Sequence, residues 1–246
     1  MRILLVNPNM STDMTQTMTT IARETAGPGI EIVPLTATHG FPYIASRAEA
    51  QIAGGIALDM IACNIDGVDA VVMAAFGDPG LRGARELFDL PVIGMAEAAM
   101  TSAAVLGERF AIVTFSPVMR RWYLDCVNDS GLMARCCGVR TPPIHPPSIE
   151  GMRETLRADL IVLAQQAAEQ DGADVIILGG APLAGLAPII ASAVPAIVLD
   201  PIAAAVAQAV AMVRVTTYAG FANRLCKPHG KSSVGLGHEL AAIIAR

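Results

Sequence analysis

The sequence predicts an α/β fold of two lobes related by a pseudo-two-fold, each a mainly parallel sheet flanked by helices, with an active-site cleft between them. Three observations predict it. Short strands alternate with helical stretches along most of the chain. Those strands are apolar at consecutive positions, as sheets covered on both faces require. The chain also repeats itself, with three motif pairs at one offset of roughly 105 residues. "DAVVMAAFGDPGL" from Asp69 matches "DVIILGGAPLAGL" from Asp174; "ILLVNPN" from Ile3 matches "FAIVTFS" from Phe110; "PVIGMAEAA" from Pro91 matches "PAIVLDPIAAA" from Pro195.

The elements follow in order. Residues 2–7 form the first strand. Ser11 is placed to cap the next helix, with Asp13 in its first turn and Met14, Met18, Ile21 and Ala22 as its buried stripe. Pro28–Gly29 ends that unit and a second strand runs over 30–35. A loop rich in functional groups (36–45) leads to a helix over about 46–64. Further strands are expected at 71–74, 91–94, 110–114, 175–178 and 196–199. The repeat divides the chain into an N-terminal lobe (1–105), a C-terminal lobe (106–215) and an extension with a helix (216–246). Gly107–Glu108 leaves no room for a linker, so the lobes share an interface.

Ligands of open α/β sheets bind beyond the carboxyl ends of the strands. A pseudo-two-fold brings four such ends together: Asn7–Pro8–Asn9 and Ala75–Phe76–Gly77 from one lobe, Thr114–Phe115–Ser116 and Gly180–Ala181–Pro182 from the other. The pocket is expected to be small, closed and lined by backbone N–H groups, with helix N-termini that favour a carboxylate, enolate or imide oxygen.

Composition excludes other classes. A net charge of −5 without a basic stripe argues against nucleic-acid binding. Gly, Pro or charge interrupts every apolar run, so no membrane-spanning segment is expected, and nothing near Met1 has a signal-peptide pattern. The five cysteines include no C-x-x-C pair, which suits a reducing, cytoplasmic compartment. Cys136–Cys137 and His145 make a poor metal set, since adjacent cysteines seldom ligate one ion well. No pair among His145, His229 and His238 has H-x-x-x-H spacing, so no metal site is expected.

The motifs "MRILLVNPNMS" at 1–11, "FGDPGLRGARELFDLPVIGMAEAA" at 76–99, "RFAIVTFS" at 109–116 and "DGADVIILGGAPLAGLA" at 171–187 resemble the aspartate/glutamate/hydantoin racemase superfamily, most closely its hydantoin and allantoin racemase branch. The resemblance implies two pseudo-symmetric lobes with the site between them, a small-molecule substrate, no cofactor and a homo-oligomer. It also implies one cysteine at each lobe's strand end, one thiolate removing the α-proton and the other thiol delivering one from the opposite face. Here Ala75 stands at the first cysteine position and Gly180 at the second. The two-thiol mechanism therefore does not carry over. "PYIASRAEA" at 42–50 together with "AAFGDPG" resembles a racemase-like branch carrying both motifs. The function expected is a cofactor-independent, racemase-like reaction through an enolate-like intermediate on a hydantoin, cyclic imide or amino-acid-derived carboxylate. The alternatives on the same scaffold are a lyase or decarboxylase, an isomerase, a ring hydrolase, or a non-catalytic binding homologue.

The remaining candidates each carry two readings. Asp78, in the G-D-P-G turn, is either a base or a residue that shapes the turn and caps a helix. Tyr43 and Arg47 share a face four residues apart. They either hold a carboxylate and supply a phenol, or Arg47 forms a surface ion pair. His39 is an acid/base candidate on the same loop or a solvated side chain. Asn9, Thr114 and Ser116 can bind substrate polar atoms or cap helices. Glu97 reads as a carboxylate that orients a loop. The closing "HELAAIIAR" helix has an apolar face that docks on the body or on another subunit.

Overall fold

The computed structural model describes residues 1–144, 152–224 and 227–246; His145 and Cys226 lie outside the described residues. Two four-stranded parallel sheets carry the fold. In the first, β1 (Arg2–Asn7), β2 (Glu31–Thr36), β3 (Ala70–Met73) and β4 (Val92–Gly94) are ordered β2-β1-β3-β4. In the second, β5 (Phe110–Val113), β6 (Cys136–Arg140), β7 (Val175–Leu178) and β8 (Ile197–Leu199) repeat that order as β6-β5-β7-β8. The central strands β1, β3, β5 and β7 are buried almost throughout, which explains their unbroken apolar sequences.

The duplicated aspartates do the same work in both lobes. Asp69 accepts the Arg2 backbone N–H at 2.7 Å, and Asp174 accepts those of Glu108 and Arg109 at 2.9 Å each. Each carboxylate thus fixes the start of the neighbouring central strand. Ser11 caps α1 (Thr12–Ala26) through the Met14 N–H, and Ser46 caps α2 (Arg47–Ala62) through the Glu49 N–H.

Strand β6 is absent from the sequence expectation. Its residues, CCGVR, have no alternating pattern, and only Val139 is fully buried. Gly138, at φ 140°, and a register shift beside Phe110/Ala111 break the ladder. The repeat offset, carried forward from β2, lands on this segment and is the signal that finds it.

The remaining helices tie the lobes together. After α3 (Leu81–Leu87), α4 (Met95–Leu106) leaves β4 and packs against the second sheet. Following α5 (Met119–Asp129), α6 (Met152–Glu169) and α7 (Ala187–Ile190), α8 (Pro201–Val215) leaves β8 and packs against β3, β4 and α1. Gln208 of α8 donates to the Ala98 carbonyl and to the hydroxyls of Thr101 and Ser102 on α4, at 2.8–3.0 Å. Each lobe therefore lends a helix to the other, and one apolar core runs from Ile3 and Leu5 through Phe76 to Tyr123 and Leu178. Beyond α9 (Tyr218–Ala222), α10 (His238–Ile244) buries Leu240 against Ala57 and Ile61 of α2, so part of its apolar face is spent on the body. Among the described residues, no helix is long and apolar enough to cross a membrane.

Candidate active site

The carboxyl ends of β1, β3, β5 and β7 converge where the two sheets meet. Beyond β1, polar side chains brace the turn itself. Asn7 donates to the Asn9 side-chain oxygen at 3.0 Å, to the Ser11 carbonyl and to the Thr15 hydroxyl, and Asn9 accepts the Ser11 N–H at 2.9 Å. Asn7 and Pro8 are buried supports of this turn, and Asn9 presents its side chain to the space beyond. The Met10 N–H donates to the Phe41 carbonyl at 2.8 Å and holds the 37–46 loop over the strand ends.

Ala75 and Phe76 from the first lobe and Gly180, Ala181 and Pro182 from the second border one cavity of about 20 Å³. Asn9, Tyr43 and Ile44 close one side; Phe115, Met119 and Tyr123 close the other. The expected meeting of strand ends is thus present, but its interior is filled by aromatic rings. Tyr123 is fully buried, with its ring centroid 4.7 Å from that of Phe76. Gly180 sits at φ 133°, and a Cβ on it would lie 2.8 Å from Phe115 Cε1 and 3.6 Å from the Tyr123 hydroxyl. The titratable groups in the cavity wall are two phenols, those of Tyr43 and Tyr123, and Asn9 adds an amide. Burial pushes the Tyr123 phenol far above its usual range, and the Thr114 hydroxyl beside it partly offsets this. Tyr123 is therefore a neutral proton donor at physiological pH. Thr114 and Ser116 are buried behind this wall, and the Ser116 carbonyl accepts the Met119 N–H at the entry to α5.

Gly77, Asp78 and Arg47 lie elsewhere. They border a separate, wider cleft of about 590 Å³ between α2, α3 and α5. Arg47 is engaged by Asp125 of α5 at 2.5 Å, the ion-pair alternative for this residue, and Arg82 of α3 reaches Asp129 at 3.3 Å. These exposed pairs strap the first lobe to α5 and each contributes about 1 kcal/mol or less.

Asp78 adopts φ 51°, and its two carboxylate oxygens accept the Ala96 and Glu97 N–H groups at 2.8 Å each. It therefore serves the N-terminus of α4 and occupies the anion position there. Glu97 pairs with Arg85 at 2.6 Å beside it. Burial pushes the Asp78 carboxyl up to about 7, against the lowering effect of the two amides and Arg85. Between an unfolded value of about 4 and that folded value, the native chain binds the extra proton, so stability falls as pH rises. Asp78→Asn is expected to flatten the pH 4–7 slope of urea-unfolding free energies and to lower stability at its optimum by about 1 kcal/mol, because one α4 amide loses its acceptor. A slope unchanged from that of the parent chain contradicts this.

His39 and His229 are exposed, as is His238, which contacts Glu239; none of the three lines either cavity.

The comparisons with known proteins agree with this architecture. The Asp/Glu/Hydantoin racemase family model matches residues 3–209. The chain belongs to the Asp/Glu/hydantoin racemase family. It is 31% identical to a hydantoin racemase of Rhizobium meliloti over 98% of this chain and 100% of that one, and 30% identical to a hydantoin racemase of Paenarthrobacter aurescens over 94% and 99%. The structure is similar to that of an allantoin racemase from Klebsiella pneumoniae, with a TM-score of 0.86 at 32% identity and 98% of each chain covered.

Within this racemase-family frame, the most informative residues that sequence reasoning passed over lie on α5. Trp122 packs where a Gly77 side chain would stand, and Cys126 approaches the Gly77 carbonyl at 3.9 Å. Met119 and Tyr123 project from the same helix into the strand-end cavity. The segment MRRWYLDCVND reads as an ordinary amphipathic helix, and four-residue spacing alone puts Met119 and Tyr123 on one face. What that face meets depends on the other lobe.

Proposed function

We propose that this chain is a cofactor-independent, racemase-like enzyme acting at the α-carbon of a small hydantoin, cyclic imide or amino-acid-derived carboxylate, through an enolate-like intermediate and without paired thiols. The observation that carries this reading is the single cavity where Ala75 and Gly180, from opposite lobes, meet Asn9 and Tyr43. The kinship with hydantoin and allantoin racemases supplies the substrate class. Asn9 and Tyr43 supply hydrogen-bond donors for ring or carboxylate oxygens. A space of about 20 Å³ holds roughly one water, so a ring enters only as Tyr43, Ile44 or Met119 swings aside. The same reading treats residues 1–105 and 106–215 as paired halves of one site, with 216–246 as an extension, in a cytoplasmic homo-oligomer.

A second reading is favoured by Gly180. Its backbone conformation and the Phe115 ring leave no place for a second thiol. Chemistry that needs a proton on one face only, as in a decarboxylase or an isomerase, fits such a site.

The test is solvent-deuterium incorporation at the α-carbon of a panel of 5-substituted hydantoins and amino acids, followed by mass spectrometry and corrected for the protein-free rate. Exchange above background is expected. Binding without exchange across the panel would make the chain a non-catalytic member of its family.

A further inference from the structure

We propose that the Tyr123 hydroxyl is the proton carrier of this site, and that it serves the face of the substrate turned toward the second lobe and no other. The inference rests on the racemase-like reading above and names the group that reading leaves open.

Position is the first support. The Tyr123 oxygen lies 3.6 Å from the point where a Gly180 Cβ would stand, so it occupies the neighbourhood from which the second lobe's missing thiol would act. The side chain lines the cavity that a substrate would enter. Preorganisation is the second. Tyr123 is fully buried, its ring held against Phe76 at 4.7 Å and Trp122 at 5.6 Å between centroids, so its oxygen has little freedom to wander.

The opposite face is the third support. There the first lobe offers the methyl of Ala75, which neither takes nor gives a proton. The acidic groups nearest that strand end, Asp78 and Glu97, border the wider cleft and serve the start of α4 and Arg85. Tyr43 is the competing phenol, half-buried on the covering loop at the cavity's edge.

The step balances without a co-reactant. The enolate's electron pair forms the new C–H bond at the α-carbon while the phenol O–H bond breaks and its electrons stay on oxygen. For exchange the cycle starts at that phenolate, which forms by giving the phenol proton to water. It removes the α-proton, the phenol so formed trades its proton with water, and the new proton returns to the same face, so a substrate exchanges with solvent and keeps its configuration.

Both enantiomers of a 5-substituted hydantoin incubated in D2O with the full chain give the decisive measurement. One enantiomer is expected to gain deuterium at C5 with retention, and its mirror image to exchange at least about 10-fold more slowly, after subtraction of the protein-free rate. Y123F is expected to lower exchange about 100-fold or more while still binding the hydantoin in calorimetry, whereas Y43F keeps the enantiomer preference. Equal exchange of both enantiomers with inversion overturns the inference, as does wild-type exchange by Y123F. If Y123F does not fold, the enantiomer ratio of the parent chain decides alone. Absence of exchange by the parent chain sinks the racemase-like reading and this inference with it; exchange that is two-faced or indifferent to Tyr123 sinks this inference alone.

Discussion

Gly77→Ala is expected to cost about 3 kcal/mol or more of folding stability, seen as a fall in Tm of roughly 6–12 °C. Two independent terms add. Gly77 lies at φ 110°, where an L-residue is strained by about 1 kcal/mol or more. A Cβ there would also run into the Trp122 ring, 2.6 Å from Cε2 and closer still to Cζ2. That ring is buried beside Tyr123 and borders the wider cleft, so it can relieve the clash only by shifting away from its packed position. Gly29→Ala separates the terms, because Gly29 has φ 83° and open space around it. It should cost about 1 kcal/mol, from strain alone. Equal losses in the two variants would show that the Trp122 contact is unimportant. The consequence reaches function, since α5 carries Trp122 and Tyr123 on adjacent positions. Whatever moves Trp122 away from Gly77 also moves the phenol in the strand-end cavity.

Much of this architecture was legible in the sequence, and for physical reasons. Buried parallel strands must be apolar on both faces, so the runs at 71–74, 110–114 and 175–178 announced themselves. The fixed offset between "DAVVMAAFGDPGL" and "DVIILGGAPLAGL" is visible because Asp69 and Asp174 perform the same backbone-binding task. Other features depended on the partner of a residue rather than on the residue. Asp78 reads as a turn aspartate, yet the amides it caps belong to α4, 18 and 19 positions further on. Arg47 reads either as an anion clamp or as half of an ion pair, and the partner it meets, Asp125, belongs to the other lobe. Tyr123 carries no motif at all. Its place beside Gly180 follows only from the meeting of the two lobes, which local periodicity does not encode.

Placing thiols at the two strand ends is expected to give opposite results at the two positions. The Ala75 methyl borders the small cavity, which can take one more atom of sulfur size, so Ala75→Cys should stay within about 1 kcal/mol of the parent chain. Gly180→Cys places a side chain on a backbone at φ 133° and against Phe115 Cε1 at 2.8 Å, which should cost about 3 kcal/mol. Two thiols are therefore not the shortest route to two-faced proton transfer. With Tyr123 serving the second-lobe face, a thiol at Ala75 alone supplies the face now lacking a group. Ala75→Cys should accordingly turn exchange with retention into racemisation, followed as loss of optical rotation from a single hydantoin enantiomer. The double variant Ala75→Cys/Gly180→Cys should racemise no faster than Ala75→Cys and melt lower. If racemisation arises only when both cysteines are present, the second lobe still works through the Gly180 position, and Phe115 yields to a side chain there.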